Sequence, residues 1–320
     1  GLVWRAGDWL VKFPGTTRNL QGSVPSYTTA PVSEWLGSHV YAALGIPVHE
    51  TVLGIRDGRI VCACRDFTFP DSRLVNFHDL KNSLSDDEPG FTEDASTGSG
   101  VVLADVRSAI HRIPVLRSID GVSDRFWDMF VVDAFIRNID RNNTNWGVLR
   151  NPRGEFSLAP VYDNGNSFNN KRTDSGIERR LANPDLIRQD ALDVRSCYVT
   201  DRGKPIAPLK YLASGQDEEC TKALDRFMER YDPRSFHDLL GSIPSMSHGL
   251  TVVPDGFHEY HRRVCDYRYE HAFMEAWRDL HPTVGVPSSP EASVPEPLPD
   301  PDPSVLPSSS VPTCFDGPGM

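Results

Sequence analysis

Two polar loops, IDRNNTNW at residues 139–146 and APVYDNG at residues 159–165, carry the most informative pattern in this chain. Asp140 and Asn145 lie five residues apart in the first loop, and Asp163 follows in the second. Between the loops, two short apolar runs flank the turn cluster NPRG, which indicates a β-hairpin. The pattern therefore predicts three oxygen-bearing side chains at the mouth of a two-stranded ribbon.

These oxygen-bearing side chains are suited to a site that binds Mg²⁺ and phosphate. Carboxylate and amide oxygens are hard ligands for Mg²⁺, which usually completes its octahedron with waters and substrate phosphates. A carboxylate left free of metal can accept the proton of an attacking hydroxyl. A base, an asparagine five residues later and a metal-binding aspartate after a hairpin together form the arrangement of protein-kinase chemistry. The alternative, that Asp and Asn only cap helices and form turns, explains single residues more easily than the ordered set.

Lys12 is the basic residue that fits this chemistry. It lies in the apolar strand pattern WLVKF at residues 9–13, where a lysine needs an anion for its ammonium group. Kinases use such a lysine for the α- and β-phosphates and pair it with a helix glutamate. Glu34, near the start of the first predicted helix, is the candidate partner. Counted at about 100° per residue, however, Glu34 lies away from the apolar stripe, so a solvent-facing orientation stays open.

Local patterns indicate a β-rich front and a helical back. The front contains a hairpin around residues 6–8, a helix over 32–44 and a pair of strands around Asp57-Gly58. Helical spacing dominates beyond Val101, and further helices are expected at 217–231, 234–241 and 256–280. The sequence therefore predicts an α+β fold of two lobes. The predicted divisions are a small β-rich N-lobe over 1–66, a larger helical C-lobe over 67–282 and a tail over 283–320.

The composition excludes several classes of protein. The chain has 320 residues and a formal net charge of −11, so direct nucleic-acid binding is not expected. It lacks both a run of about 18 apolar residues and a signal-peptide pattern, so neither a membrane partner nor secretion is expected. Six cysteines without a CxxC pair fit the reducing cytosol. The tail, with ten prolines and no lysine or arginine, is expected to be disordered and dispensable.

The sequence contains two groups of closely spaced cysteine and histidine residues. Cys62 and Cys64 are two residues apart, so they are expected to project from one face of a strand. His258, His261 and Cys265 share a helix face and are an alternative set of metal ligands, although no fourth ligand is apparent. Histidine is also common on amphipathic helices without any metal.

The two polar loops resemble segments of the HipA-like Ser/Thr kinases, whose catalytic segment has the form Asp-Arg-x-x-x-Asn and whose metal aspartate follows Ala-Pro-x-Tyr. The N-terminal part is similar to the short CtkA-type members of that family. The similar segments are SYT at 26–28, VSEWLGSH at 32–39, GI at 45–46, ET at 50–51 and ACRDF at 63–67. The resemblance covers roughly residues 1–280. It implies a two-lobed protein-kinase-like fold that uses ATP with Mg²⁺ and phosphorylates serine or threonine in proteins.

The resemblance also implies a role for individual positions. Asp140 is the base, Asn145 and Asp163 hold metal, and Lys12 holds phosphate with Glu34 as its partner.

The nucleotide base is expected at a hinge. Arg65-Asp66-Phe67 is implied to meet adenine through backbone groups, so Asp66 and Phe67 join the cofactor-binding set. In this family a Gly-rich phosphate loop precedes the strand with the lysine. Only eleven residues precede Lys12, so that loop is expected before Gly1 or to be missing.

The sequence thus predicts a cytoplasmic, ATP- and Mg²⁺-dependent Ser/Thr protein kinase that acts on a protein substrate. The resemblance also associates the chain with toxin–antitoxin systems. One alternative is a nucleotide-binding pseudokinase or regulatory partner without transfer activity. Another is a phosphatidylinositol-type lipid kinase, which uses a similar loop but is expected to carry a basic membrane-facing surface that this acidic chain lacks.

Residues 164–180 indicate a regulatory segment. Ser167, Thr173 and Ser175 lie there beside Lys171, Arg172, Arg179 and Arg180. A phosphate added by autophosphorylation can pair with these arginines and order the segment. The alternative is a flexible basic loop without regulation.

Overall fold

A four-stranded antiparallel sheet forms the front of the molecule, in a computed structural model that describes residues 3–15, 28–85 and 100–282. The strands lie in the order β1-β2-β4-β3. Their bounds are β1 Val3–Ala6, β2 Trp9–Lys12, β3 Thr51–Arg56 and β4 Arg59–Arg65. Asp57 and Gly58 both have positive φ, 51° and 64°, as a tight hairpin turn with the right-handed twist of its strands requires.

Helix α1 (Ala30–Ala43) packs on strands β3 and β4 of this sheet. It begins with a proline in its first turn, where a backbone N–H would have no helical partner. Its opposite side faces the helical part of the chain, where the Tyr41 hydroxyl donates to Asp133 Oδ1 at 2.8 Å. Because α1 lies between two layers, its polar residues are buried as well as its apolar ones. Glu34 is 1% exposed, so the solvent-facing alternative for this residue is wrong.

The back of the molecule is built around helix α5 (Val122–Ile136). Aromatic residues of α5, among them Phe126, Trp127 and Phe130, are buried on several sides, so the helix is the centre of the main core. It packs along α9 (Glu218–Arg230), which begins where the Asp217 side chain accepts from two backbone N–H groups. The other helices are α2 Phe77–Ser85, α3 Leu103–Arg112, α4 Pro114–Arg117, α6 Asp174–Leu181, α7 Pro184–Leu192, α8 Pro208–Ser214, α10 Pro233–Gly241, α11 Phe257–Arg268 and α12 Met274–Leu280.

The predicted helices at 217–231, 234–241 and 256–280 are confirmed. They correspond to α9, α10 and the pair α11–α12, which one π-helical turn, Tyr269–Phe273, joins. None of the described helices is long and apolar enough to cross a bilayer. The division between lobes at residues 66 and 67 stays a prediction, and the predicted tail lies outside the described residues.

A second, three-stranded sheet positions the two polar loops. Its strands lie in the order β5 (Arg73–Asn76), β7 (Gly147–Arg150) and β8 (Phe156–Leu158). The first loop leads into β7 and the second leaves β8, so the predicted hairpin brings both to one edge. Gly147 is required there, because a Cβ atom would lie 2.2 Å from the Val75 carbonyl oxygen. Two short pairs complete the sheets, β6 (Val101–Val102) with β9 (Tyr198–Val199) and β10 (Met246–Ser247) with β11 (Leu250–Thr251).

The alternative metal set at His258, His261 and Cys265 does not assemble among the described residues. His258 Nε2 lies 2.8 Å from the Ile243 carbonyl oxygen, and His261 is buried against aromatic rings such as Phe257. Burial lowers the pKa of His261 to about 3, so this ring is neutral in the folded protein at neutral pH.

Acid should therefore destabilise the protein through His261. The unfolded chain protonates this ring below its usual pKa of 6.5, while the folded chain resists until about 3. Stability therefore falls as the pH drops through that window. The thermal midpoint of His261→Phe is expected to fall less than that of the wild type between about pH 7.5 and about pH 5.5. Equal losses in the two proteins would contradict this expectation.

Candidate active site

Lys12 lies between two carboxylates. Its Nζ is 2.8 Å from Glu34 Oε2 and 2.8 Å from Asp163 Oδ1. Burial by itself would lower the pKa of Lys12, but these carboxylates outweigh it and raise that pKa well above its ordinary value. The structure thus brings together three sequence-predicted residues, two of them 151 positions apart.

Glu34 has two further partners besides Lys12. Its Oε1 accepts from the Asn164 backbone N–H at 3.1 Å and lies 3.0 Å from His49 Nε2. Burial would raise the pKa of Glu34, but Lys12 first and then His49 hold it well below its usual range. The carboxylate is therefore ionised and fixed in orientation. His49 was not found from the sequence, because a single histidine before a strand carries no local signal of a partner fifteen residues earlier.

Asp140 lies at the edge of the cleft with both oxygens oriented. Oδ1 accepts from Asn142 Nδ2 at 2.9 Å, and Oδ2 accepts from Asn166 Nδ2 at 2.8 Å. Over the described ranges, no lysine, arginine or histidine forms an ion pair with this carboxylate. A carboxylate oriented by amides, without a cation to neutralise it, can still accept a proton from a substrate hydroxyl.

Asn145 is tied to the same loop. Its Nδ2 donates to the Asp140 carbonyl oxygen at 2.6 Å, which ties the two ends of the loop together. Within the part of the chain that the structure describes, its Oδ1 accepts one hydrogen bond, a 3.3 Å bond from the Thr144 hydroxyl. The oxygen is therefore the part of this amide that a hard cation can use.

Asp163 adopts a backbone conformation that aspartate rarely takes. Its φ is 60°, in the left-handed region, which costs a non-glycine residue strain that its surroundings must hold. The next residue, Asn164, fixes this backbone conformation, because it is buried and hydrogen-bonded to both Glu34 and Ser38. The Asp163 side chain is 44% exposed, so one of its oxygens is available to a ligand.

Arg141, the residue after the candidate base, locks the two loops together. It is buried, and its guanidinium donates to Asp133 Oδ2 (2.8 Å), Asn145 O (2.9 Å), Asn164 Oδ1 (2.5 Å) and Tyr162 O. Burial would lower its pKa, but Asp133 outweighs burial and keeps the group charged. The sequence shows Arg141 inside the motif, yet it does not show which acid on α5 pairs with it.

The predicted hinge is only partly open to a ligand. Asp66 N–H donates to the Asp8 carbonyl at 2.7 Å, and Asp66 O accepts from Phe69 N at 3.2 Å. The Asp66 backbone is thus committed within the protein, so it shapes the hinge and offers no free group. The backbone N–H and C=O of Phe67, in contrast, have no hydrogen-bond partner within the described segments. The centre of the Phe67 ring lies 5.4 Å from that of the Tyr162 ring, and Tyr162 directly precedes Asp163.

The donor set of this cleft fits a hard dication with a phosphate ligand. Asp163 and Asn145 provide a carboxylate and an amide oxygen, and Lys12 provides a fixed ammonium group nearby. Asp66, Phe67 and Asp140 line other parts of the cleft.

Known proteins with similar sequences and structures were identified. The chain is 33% identical to the serine/threonine-protein kinase CtkA of Helicobacter pylori strain J99 over 241 residues, which are 75% of this chain and 71% of that one. The crystal structure of a H. pylori proinflammatory kinase CtkA matches with a TM-score of 0.73 at 28% identity, covering 86% of this chain and 92% of the other. A weaker match, with a TM-score of 0.49 and 13% identity, is to HipA of Shewanella oneidensis MR-1 in a complex with HipB and operator DNA; it covers 84% of this chain and 60% of that one. No protein-family model matches the chain.

Proposed function

Since the chain belongs to the HipA-like serine/threonine protein kinases, with the two-lobed α+β kinase fold of CtkA, we propose that it transfers the γ-phosphate of Mg·ATP to a serine or threonine hydroxyl of a protein. The observation that carries this proposal is the convergence of Lys12, Glu34 and Asp163 at the edge where Asp140 and Asn145 also lie. Each of these residue types has a place in phosphoryl transfer.

Asp140 is the proton acceptor in this proposal. Its oriented carboxylate takes the proton of the attacking hydroxyl, and the bond between the γ-phosphorus and its bridging oxygen breaks as the new ester bond forms. Lys12 binds α/β-phosphate oxygens, and Glu34 keeps its ammonium group in place. Asp163 and Asn145 would hold Mg²⁺, which neutralises charge on the phosphates when bound.

Phe67 is the proposed adenine contact. Its free backbone groups can pair with the edge of a purine, and the rings of Phe67 and Tyr162 offer an apolar surface beside it. Asp66 supports this contact indirectly, because its Oδ1 accepts from Thr68 N at 2.9 Å and holds the turn after β4.

The proposal is tested by transfer from labelled ATP to a generic protein substrate. Wild-type transfer should require Mg²⁺, and Asp163→Ala should lose transfer and bind Mg·ATP at least about tenfold more weakly. The weakening should disappear when binding of ATP is measured with the metal chelated, because Asp163 acts on the nucleotide through the metal. Wild-type ATP binding without any transfer would favour the pseudokinase alternative, and transfer to phosphoinositides alone would favour the lipid-kinase alternative.

We also propose that the protein phosphorylates itself, and the burial of each side chain decides which hydroxyl in residues 164–180 is expected to receive the phosphate. Ser167 is fully buried and donates to the Asn164 carbonyl oxygen at 2.7 Å, so the expectation that it accepts phosphate is wrong for the folded protein. Arg172 and Arg180 both pair with Asp190, so they are not free to receive a phosphate.

Ser175 is the hydroxyl we expect to be phosphorylated. It is exposed in the first turn of α6, where a phosphate is favoured by the helix dipole, and Lys171 and Arg179 are exposed nearby in sequence. Mass spectrometry after long incubation with Mg·ATP should find phosphate on Ser175 in the wild type. Ser175→Ala should lose that modification. Phosphate on Ser167, or none on Ser175, would contradict this assignment.

The predicted cytoplasmic location and the association with toxin–antitoxin systems stay predictions. The five cysteines among the described residues are unpaired and buried, which supports a reducing compartment.

A further inference from the structure

Close to Lys12, three buried side chains with nitrogen, oxygen and sulfur donors face each other, and Cys62 lies beside one of them. Cys62 and Cys64 project from one face of β4, as their spacing predicts, and their Sγ atoms are 3.9 Å apart. Glu34 Oε1 and His49 Nε2 are 3.0 Å apart. One donor atom each from Glu34, His49 and Cys64 lies within 4.8 Å of the others. Together these residues are called the sub-lysine cluster.

The donors of this cluster differ in kind from those of the Mg²⁺ site. Thiolate and imidazole select zinc and similar soft cations, whereas Mg²⁺ takes oxygen ligands. In a tetrahedral zinc site with Zn–S bonds of about 2.3 Å, two thiolates lie about 3.8 Å apart. The two sulfur atoms are 3.9 Å apart, so Cys62 is near enough to reach such a site, although the donors already within 4.8 Å of one another are those of Glu34, His49 and Cys64.

We propose that the sub-lysine cluster binds a thiophilic dication such as Zn²⁺ through Glu34, His49 and Cys64, with Cys62 as the fourth ligand after side-chain rotation. Each thiol that binds gives its proton to solvent. The dication with one carboxylate and two thiolates carries one net negative charge. The Lys12 ammonium lies beside this set, although it also pairs with the half-exposed Asp163 carboxylate, so the net charge that is buried is small.

A cation bound in the sub-lysine cluster disturbs the contacts by which Glu34 positions Lys12 for the nucleotide. Glu34 Oε1 now holds the Asn164 backbone and His49, while Oε2 holds Lys12. A metal on Oε1 displaces the contacts with the Asn164 backbone and His49, so the carboxylate loses the partners that fix the orientation in which it positions Lys12. The cation is therefore an inhibitor of phosphate transfer, and this consequence rests on the proposed function, whereas the binding itself does not.

Cobalt titration of the full chain in excess Mg²⁺ tests the binding. Co²⁺ replaces zinc and reports thiolate ligation by a charge-transfer band in the near ultraviolet, while Mg²⁺ fills sites made only of oxygen. We expect the band to saturate at one equivalent and to fall to about half in Cys64→Ala and in Cys62→Ala, in proportion to the number of thiolates. Cys265→Ala, which removes another buried thiol in the helical part, is the matched control and should keep the full band.

A second variant guards against misfolding of Cys64→Ala. His49→Gln, checked by its thermal transition, should keep a thiolate band but bind Co²⁺ at least about tenfold more weakly. Absence of a band in the wild type, or an undiminished band in Cys64→Ala, would overturn the site.

The inhibitory consequence has its own readout. Zn²⁺ added in slight excess over the protein, in the presence of Mg·ATP, should lower wild-type transfer at least tenfold, and a chelator that binds zinc but leaves Mg²⁺ free should restore it. Cys64→Ala, compared with its own rate without zinc, should lose this response. Wild-type transfer that zinc leaves unchanged would overturn the inhibitory role. A wild type inactive with Mg·ATP alone would instead refute the proposed function, while the cobalt spectrum still decides the site.

Discussion

Replacing Asp140 by alanine is expected to slow phosphate transfer by about 10²–10⁴-fold, the range for loss of a general base. ATP binding should stay close to that of the wild type. In the described structure, the Asp140 carboxylate contacts only Asn142, Asn166 and its own loop. It contacts neither Lys12 nor Asp163, so its removal leaves the side chains that bind the nucleotide in place. Transfer is measured with labelled ATP at saturating Mg²⁺, and binding by titration calorimetry.

A matched control separates this effect from loss of charge. Asp201 is an exposed turn residue outside the cleft, so Asp201→Ala removes one negative charge without touching the proposed base. It should transfer phosphate at the wild-type rate. If Asp140→Ala also retained that rate, Asp140 would not be the base. A loss of ATP binding equal to the loss of rate would assign Asp140 to binding instead.

Arg141→Met is expected to be the most destabilising substitution near the site. It leaves the Asp133 carboxylate buried without its cation, and breaking a buried pair in this way typically costs about 3–5 kcal/mol of unfolding free energy. It also removes the guanidinium donors that hold Asn145 and Asn164, so both polar loops lose a shared support. Urea unfolding monitored by tryptophan fluorescence measures the loss.

The double variant Asp133→Asn with Arg141→Met shows where that cost arises. The neutral amide can still accept from the Tyr41 hydroxyl, and no charge is then left buried. We expect the double variant to regain a large part of the lost stability while its transfer rate stays low, because the loops remain unsupported. If Arg141→Met cost less than about 1 kcal/mol, the pair would behave like an exposed ion pair.

The residues of the candidate site were found from the sequence because each carries a local signal. Asp140, Asn145 and Asp163 stand in polar loops around a hairpin, and loops of this kind follow turn rules that depend on neighbouring residues. Lys12 was visible because a charge inside an apolar strand needs a partner. The α+β character also follows from local periodicity, so the helices at 32–44, 217–231, 234–241 and 256–280 and the front sheet were predicted close to their observed bounds, whereas shorter helices such as α6 and α7 were not predicted.

What could not be predicted depends on contacts between distant segments. The inward orientation of Glu34 follows from the packing of α1 between two layers, whereas counting around a helix assumes one apolar face. His49 joins Glu34, and the two cysteines of β4 come to lie close to Lys12, because the sheet and α1 pack together.

By itself, then, the sequence determined the longer periodic helices, the front strands, the two loops and the chemistry of their oxygen donors, since these depend on neighbours along the chain. Only the tertiary structure decided that Ser167 is buried, that Asp133 is the partner of Arg141 and that the Asp66 backbone is occupied. The Asn164 N–H reaches Glu34 across 130 positions, and such a contact leaves no mark on the residues around either partner. The physical reason is that burial and pairing are set by which surfaces meet when the whole chain packs, and local patterns do not carry that information.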